Sequence, residues 1–357
     1  MLLTSTFSLL RFGAVFSLLV FVHEAGHFLA AKWRKVAVEE FGFGLPPRLW
    51  GRKFKGTIYS LNWIPLGGFV KLKGEDPEAA FIGDVDSFSV KSKKSRTAIL
   101  LAGVVGNLLL AWLIFSFLFA IGNPSISSGK VVIEEVVPGS PAEAAGLQKD
   151  DVVLAVDDQK VETTEDLISR VGKRVGNIVD LRIERQGQAL QMQLVPRSEP
   201  PEGEGPLGIK IKMMDPQISL TKYPLWQAPW HALREVGGIT KSMIVGFGAM
   251  IMRIFTRGEV PTEVAGPVGI KMMTDVAASM GKRFFLQFVA LLNLNLFVFN
   301  LLPIPALDGG RLLFLGFEAV LRRRLNPKVE KIANNLSLAF LLLLSALVTI
   351  QDVSRFW

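Results

Sequence analysis

The chain has no cysteine. No disulfide braces it, and no thiolate is on offer to a metal. Histidine is nearly as scarce, with three among 357 residues: His23, His27 and His231. Any metal site has to be built from those imidazoles and from carboxylates. Charge is missing over long stretches. Segments 12–31, 97–121, 284–302 and 332–351 are apolar, and the single Asp, Glu, Lys or Arg within them is Glu24. Each is long enough to cross a bilayer, for which about 20 apolar residues suffice. Half of all residues are hydrophobic and the mean hydropathy is +0.37, a membrane composition. A basic lead-in is lacking ahead of the first stretch, and ionisable residues occupy its second half, so it does not read as a cleavable signal peptide.

Also absent is any Lys/Arg stripe interleaved with aromatics, so the net charge of +8 does not point to nucleic acid. The excess sits beside the apolar stretches instead. Residues 32–96 hold 13 basic against 7 acidic side chains, and 311–331 hold 6 against 2. The positive-inside rule puts both segments in the cytoplasm. Four crossings then leave both termini and the large segment 122–283 outside.

Inside the first apolar stretch stands His23-Glu24-Ala25-Gly26-His27. On a helix the two histidines, four apart, project from one face toward one ion. Neutral imidazole is a good zinc ligand, and Glu24 beside it is a candidate general base. Ionisable groups within lipid are costly and default to function. The structural alternative, a pair of core histidines, needs partners that lipid does not supply.

Segment by segment, the expected organisation is as follows. Residues 1–37 form the first transmembrane helix with HExxH, 38–96 a β region and loop, and 97–122 the second helix. Residues 123–225 form an external domain and 226–283 an interfacial amphipathic helix and connection, with Trp226 and Trp230 at headgroup depth. Residues 284–310 form the third transmembrane helix, 311–331 a cytoplasmic connection and 332–351 the fourth helix. In 38–74, strands 57–61 and 68–73 either dip into the membrane, where an exposed edge would add a peptide strand, or make a small cytoplasmic sheet. Asn107 in the second span needs a partner in the bundle. In the external domain, Thr164 is a possible cap for a helix from Glu165.

A catalytic zinc takes three protein ligands plus water, so HExxH is one short. Asn300-Leu301-Leu302-Pro303-Ile304-Pro305-Ala306-Leu307-Asp308-Gly309-Gly310 offers the third. Its prolines break the third span near the cytoplasmic end, at the depth of the histidines. Asp308 follows the break; its other reading is a cap for the next helix. Glu318 is a weaker rival ligand.

The paired motifs HEAGH and NLLPIPALDGG resemble those of the site-2 protease family and, within it, the bacterial regulator-of-sigma-E protease group. The likeness covers essentially the whole chain. It implies an intramembrane zinc metalloprotease of the bacterial inner (cytoplasmic) membrane that cuts transmembrane segments, with Zn2+ on His23, His27 and Asp308 and Glu24 as base. Anti-sigma factors and remnant signal peptides are the implied substrates. Asn295 and Asn300 match family asparagines near the site. The stretches around 41–44 and Gly67, Gly68, Phe69 and Val70 match a membrane-associated hairpin that holds substrate as a strand. Gly139-Ser140-Pro141-Ala142, Ala145-Gly146-Leu147 and Asp150-Asp151 resemble a PDZ domain, and Leu207-Gly208-Ile209 its carboxylate-receiving loop. Well-known members carry two tandem PDZ units, and this chain has room for one, acting as a size filter or a peptide sensor. The expected fold is therefore a polytopic α-helical membrane protein of four transmembrane helices with a membrane-associated β-hairpin region and one extracytoplasmic PDZ domain. The rival function is a catalytically silent membrane scaffold, which has no need of Glu24 in lipid. A zinc transporter would need a second set of intramembrane ligands.

Overall fold

A computed structural model describes residues 2–75, 84–201, 204–257 and 265–356. The chain divides into two units, one of Met1–Ile121 with Lys222–Trp357 and one of Gly122–Thr221.

In the first unit, α1 (Leu2–Trp33) and α2 (Lys93–Ile121) flank a sheet of two long antiparallel strands, β1 (Val38–Phe54) and β2 (Thr57–Leu72). Both strands bend, so residues 40–43 are paired on two sides. Phe41 faces Val70 and Tyr59, Gly42 faces Phe69 and Ser60, and Phe43 faces Gly68 and Leu61. Residues 48–54 pair in turn with 57–62. The row 68–72 therefore keeps one side unpaired by other strands. This sheet lies along α1. Phe41 stacks on Phe28 at 4.8 Å and meets Phe21 at 5.4 Å, while Ser17 Oγ donates to Pro65 O and accepts from the Gly67 N–H. At its other end Val38 and Leu72 are buried with Ala31, Val36, Phe88, Ile99 and Leu100.

The remaining helices are α5 (Ala228–Arg257), α6 (Pro267–Ser279), α7 (Lys282–Leu301), α8 (Asp308–Leu321) and α9 (Pro327–Phe356). Five helices among the described residues are long and apolar enough to cross a membrane, one more than the four expected. The addition is Ala228–Met252 of α5. Ala228, Ala232 and Val236, four apart, form a small-residue face buried against Phe115, Leu118 and Phe119 of α2 and Ala290 and Leu294 of α7. Further along, Phe247 meets Phe299 near the far end of α7 at 5.1 Å. Small side chains let backbones approach closely, and Arg234 and Lys241 stay exposed off that face. The starts of α5 and α7 both lie at the C-terminal end of α2, where the Tyr223 N–H donates to Phe119 O and Arg283 donates to Ile121 O. Helix α6 is tied to the N-terminal end of α1 by Asp275 with Ser8 and Arg11, and to the C-terminal part of α9 by Asp352, which accepts the Gly269 N–H at 2.7 Å.

The second unit is a sheet in the order β7-β6-β4-β3-β8, with the short β5 (Gln159–Lys160) on β4. Its strands are β3 (Asn123–Val136), β4 (Val152–Val156), β6 (Val179–Arg185), β7 (Gln188–Leu194) and β8 (Ile209–Thr221). Alternate residues Val131, Ile133, Val179, Leu181 and Ile183 bury on one face with Leu167 and Val171 of α4 (Thr164–Gly172) and Ala142 of α3 (Pro141–Ala144). The expected cap of α4 is one residue off. Thr163, not Thr164, caps it: its hydroxyl accepts the Asp166 N–H, and the Asp166 carboxylate reaches back to the Thr163 N–H. That carboxylate also takes the Glu162 N–H, and these two backbone donors hold its pKa below the usual Asp range. A depressed folded-state pKa adds stability above the unfolded value of about 3.9 and loses it as pH falls through the folded value. We expect Thr163→Ala to weaken this turn by about 1 kcal/mol. Hydrogen exchange of the amides at 165–167 in the whole protein should accelerate severalfold; unchanged exchange would remove the cap from the account.

Candidate metal centre and cleft

The three residues read from the two motifs come together. His23 and His27, one turn apart on α1, meet Asp308 at the first position of α8. Asp308 Oδ2 lies 3.0 Å from His23 Nε2 and 3.1 Å from His27 Nε2, and the two Nε2 atoms are 3.1 Å apart. Asp308 is not spent on capping: Leu307 holds the cap position and no side chain bonds there. The prolines end α7 at Leu301, and the turn 302–307 that follows brings Asp308 back to α1.

Helix α2 seats both imidazoles. His27 Nδ1 is 2.8 Å from Ile99 O, so it carries the proton and Nε2 keeps its lone pair. A Cβ at Gly103 would strike the His27 ring, so the ring lies flat against bare backbone there. His23 Nδ1 lies 3.3 Å from the Asn107 amide, whose Oδ1 is buried without a partner. His23 can present a lone pair at Nε2 only with its proton on Nδ1, and that proton needs an acceptor; Asn107 Oδ1, with its amide turned over, is the one available. Asn107 thus has the partner it was expected to need.

With both protons placed, two imidazole lone pairs and a carboxylate oxygen face one another. Such a set repels itself unless a cation sits among it. Zinc bonds of about 2.0–2.1 Å put tetrahedral ligand atoms about 3.3 Å apart. The separations here, 3.0–3.1 Å, are close to that, and the donors suit zinc.

The centre opens into a cavity of about 370 Å³ lined also by Glu24, Phe69, Val70, Glu75, Asn300 and Arg311. Glu24 Oε2 accepts the Val70 N–H at 3.1 Å, so the base candidate is moored to the unpaired edge of β2. The other expected residues distribute unevenly. Gly67 is bonded to Ser17, and neither Gly67 nor Gly68 is among the lining residues of the cavity. Asn295 is likewise outside that lining, with Oδ1 buried and unpartnered. Glu318 is taken by Arg96 at 2.9 Å, and His231 stacks on Tyr223 at 3.6 Å, so neither joins the centre. In the second unit, Leu207 packs into the core, the Gly208 N–H closes onto Gly205 O, and Ile209 opens the edge strand β8 opposite Val136.

Sequence reasoning passed over Glu75 and Arg311. Arg311 follows Asp308 by one helical turn, a spacing that marks a shared face. Glu75 carries no such signal, since only the fold returns it to the cleft.

A histidine pair with an adjoining carboxylate on one apolar helix, met by an aspartate from another, is the arrangement of a metallopeptidase. Residues 11–344 match the model of peptidase family M50, and the chain belongs to that family, the site-2 proteases. It is similar to the zinc metalloprotease RasP of Shouchella clausii, 30% identical over 98% of this chain and 99% of that one. RasP of Geobacillus kaustophilus is 28% identical over 98% of each. A Clostridium perfringens protein provisionally named a zinc metalloprotease is 34% identical over 95% of this chain and 96% of its own. Among solved structures, the PDZ domain of an SdrC-like protein from Listeria monocytogenes is similar at 19% identity, over 24% of this chain and 92% of that domain, with a TM-score of 0.22. At that score the likeness stands as a similarity and nothing more.

Asn107→Ala should weaken metal retention, since partners that orient metal-bound histidines typically contribute about 10–100-fold in affinity. Competition with a chelator measures it. Equal retention in Asn107→Ala and wild type would leave His23 oriented by α1 alone.

Proposed function

We propose that the chain is a zinc-dependent intramembrane endopeptidase that cuts transmembrane segments of other membrane proteins, with His23, His27 and Asp308 as ligands and Glu24 as general base. One observation carries the reading: His23, His27 and Asp308 converge within 4.8 Å, in a cavity that Glu24 and the free edge of β2 also line. When bound, zinc supplies a Lewis acid and water acidic enough to be deprotonated near neutral pH. Glu24 Oε2 accepts the Val70 N–H until a substrate strand takes that amide, and the freed carboxylate takes the proton of the attacking water and returns it to the leaving amine. Asn107 and the Ile99 carbonyl hold the imidazoles in the tautomer this requires.

A transmembrane helix hides its peptide bonds in internal hydrogen bonds, so a substrate must unwind first. Adding its unwound segment to β2 as a strand would replace those bonds, with Phe69 and Val70 at the edge and Asn300 on the cavity wall. Family membership supports membrane proteins as the substrate class. Anti-sigma factors and remnant signal peptides are the proposed members of it. The unit Gly122–Thr221 is proposed as an extracytoplasmic PDZ domain that selects substrates by size.

Four complete crossings remain our reading of the topology. Segment 222–282 begins and ends at one end of the bundle, because α5 and α7 both start beside the end of α2, and α6 lies between them by the N-terminal end of α1. A single crossing by α5 would deliver α6 to the opposite end.

Two experiments test these assignments. Purified Glu24→Gln should keep about one zinc per chain and lose cleavage of a membrane substrate, whereas His27→Ala and Asp308→Asn should lose the metal. Wild-type cleavage by Glu24→Gln, or full zinc in both ligand variants, would overturn the site. Because the chain lacks cysteine, single-cysteine labelling reads topology directly. Lys149→Cys should react with an impermeant maleimide in spheroplasts or intact cells, and Lys53→Cys only after permeabilisation; the reverse pattern would invert the orientation.

A further inference from the structure

The free edge of β2 does not run open to its end. Within a strand, residues two apart present their N–H and C=O groups to the same side. Val70 and Leu72 are such a pair, and both N–H groups meet carboxylates of this chain. Val70 donates to Glu24 at 3.1 Å and Leu72 donates to Glu75 Oε2 at 3.2 Å. Glu75 does more at Leu72 than a chance side-chain contact would. Its own N–H donates to Leu72 O at 3.3 Å, through a turn whose third residue, Gly74, is left-handed with φ +66°. One residue therefore satisfies both pairing groups of Leu72, as an opposite residue on an added strand would.

Glu75 is in turn held from the far wall of the cavity. Its Oε1 pairs with Arg311, which lies one helical turn beyond Asp308 on α8. The helix that contributes the acidic ligand thus also anchors the residue that closes the β2 edge. The distance along that edge from the metal centre to the closure is set by a single rigid element.

We propose that Glu75 is a register stop for the substrate strand: by occupying both pairing groups of Leu72, and anchored by Arg311, it ends strand addition at Val70 and so selects which peptide bond of an unwound segment faces Glu24. The inference rests on the strand-addition reading above. In an added strand the side-chain period is two residues, so a substrate with one more pairing site available can slip by about two residues without changing faces. Glu75 is a specificity-determining residue on this account and takes no part in the chemistry.

The test follows products rather than rate. Glu75→Ala frees the Leu72 N–H, while its backbone N–H can still meet Leu72 O, and should yield, by mass spectrometry of a reconstituted single-span substrate, a second cut displaced by about two residues. The new product should amount to about a tenth or more of the total, the scale of one lost hydrogen bond. Glu75→Gln keeps an acceptor for the Leu72 N–H and should restore the single cut. Since Glu75→Ala leaves a cavity arginine unpaired, Glu75→Ala with Arg311→Met is made alongside and should show the same shifted cut if the single variant fails to fold. A single cut at the wild-type position in every variant that cleaves overturns the stop, as does a Glu75→Gln pattern equal to that of Glu75→Ala. A separate measurement guards the underlying reading. Lys71→Cys, exposed on β2 in a chain without cysteine, should cross-link to a cysteine placed near the cut site of a substrate in which Glu24→Gln prevents turnover. Cross-linking with unshifted cuts would sink the stop alone; no cross-link from any substrate position would sink strand addition itself.

Discussion

The contact of α1 with α2 is the constraint from which the rest of the centre follows. Two imidazoles lie within an apolar bundle where water is not there to satisfy them. Each has one nitrogen turned to α2, toward the Ile99 carbonyl or Asn107, and one toward Asp308. The contact is possible because α2 shows bare backbone at Gly103, where any side chain would meet the His27 ring. A larger residue there would push α1 away from α2 by more than a hydrogen bond can stretch, and both second partners would be lost together. An unpaired buried polar group costs about 1–3 kcal/mol, so the pairings with α2 determine the ring orientations before any metal arrives.

The second constraint is the sheet. Open edges are not tolerated in lipid unless something covers them or they line a cavity. Here residues 40–43 and 58–61 pair on both sides, and of the two outer rows, 48–54 and 68–72, the latter lies by the cavity at Val70 and is engaged by Glu24 and Glu75. Both are carboxylates, and both accept an N–H that a substrate carbonyl would otherwise take. For Glu24 this does not conflict with catalysis: a base with one oxygen fixed keeps its other oxygen oriented, and a substrate strand that takes the Val70 amide frees the whole carboxylate at the moment it is wanted. On the proposed function, occupancy of the edge and readiness of the base are coupled through one hydrogen bond.

How much of this was legible beforehand depended on range. His23, Glu24 and His27 show themselves by helical spacing in an apolar run, and Asp308 by prolines that must end a helix at similar depth; local rules cover both. Asn107 was half legible: a lone amide in a span needs a partner, but which partner depends on the rotation of α2 against α1. The double pairing of residues 40–43 has no sequence signature, because strand order is a tertiary property. Helix α5 reads two ways. Arg234 and Lys241 weighed toward an interfacial position, while the face Ala228, Ala232 and Val236, which lets it follow α7 inward, counts little on any hydropathy scale. The cap of α4 slipped by one residue because Thr163 and Thr164 are equally good caps, and only Asp166, three beyond the first, decides between them.

Arg311 shows why the unread residues matter. Lining a cavity, a guanidinium left without its partner is costly, and a metal centre alone gives no reason for one a turn beyond the acidic ligand. Its partner Glu75 comes from the segment that closes β2, so the pair joins the helix of Asp308 to the sheet proposed to hold substrate. Loss of either charge would leave the other unpaired in the cavity, a penalty larger than the net worth of the pair itself. The pair is thus better understood as a spacer than as a stabiliser. It holds the end of the β2 edge at a set distance from Asp308, and that distance, rather than any chemistry of its own, is what a peptidase acting on an unwound strand has to control.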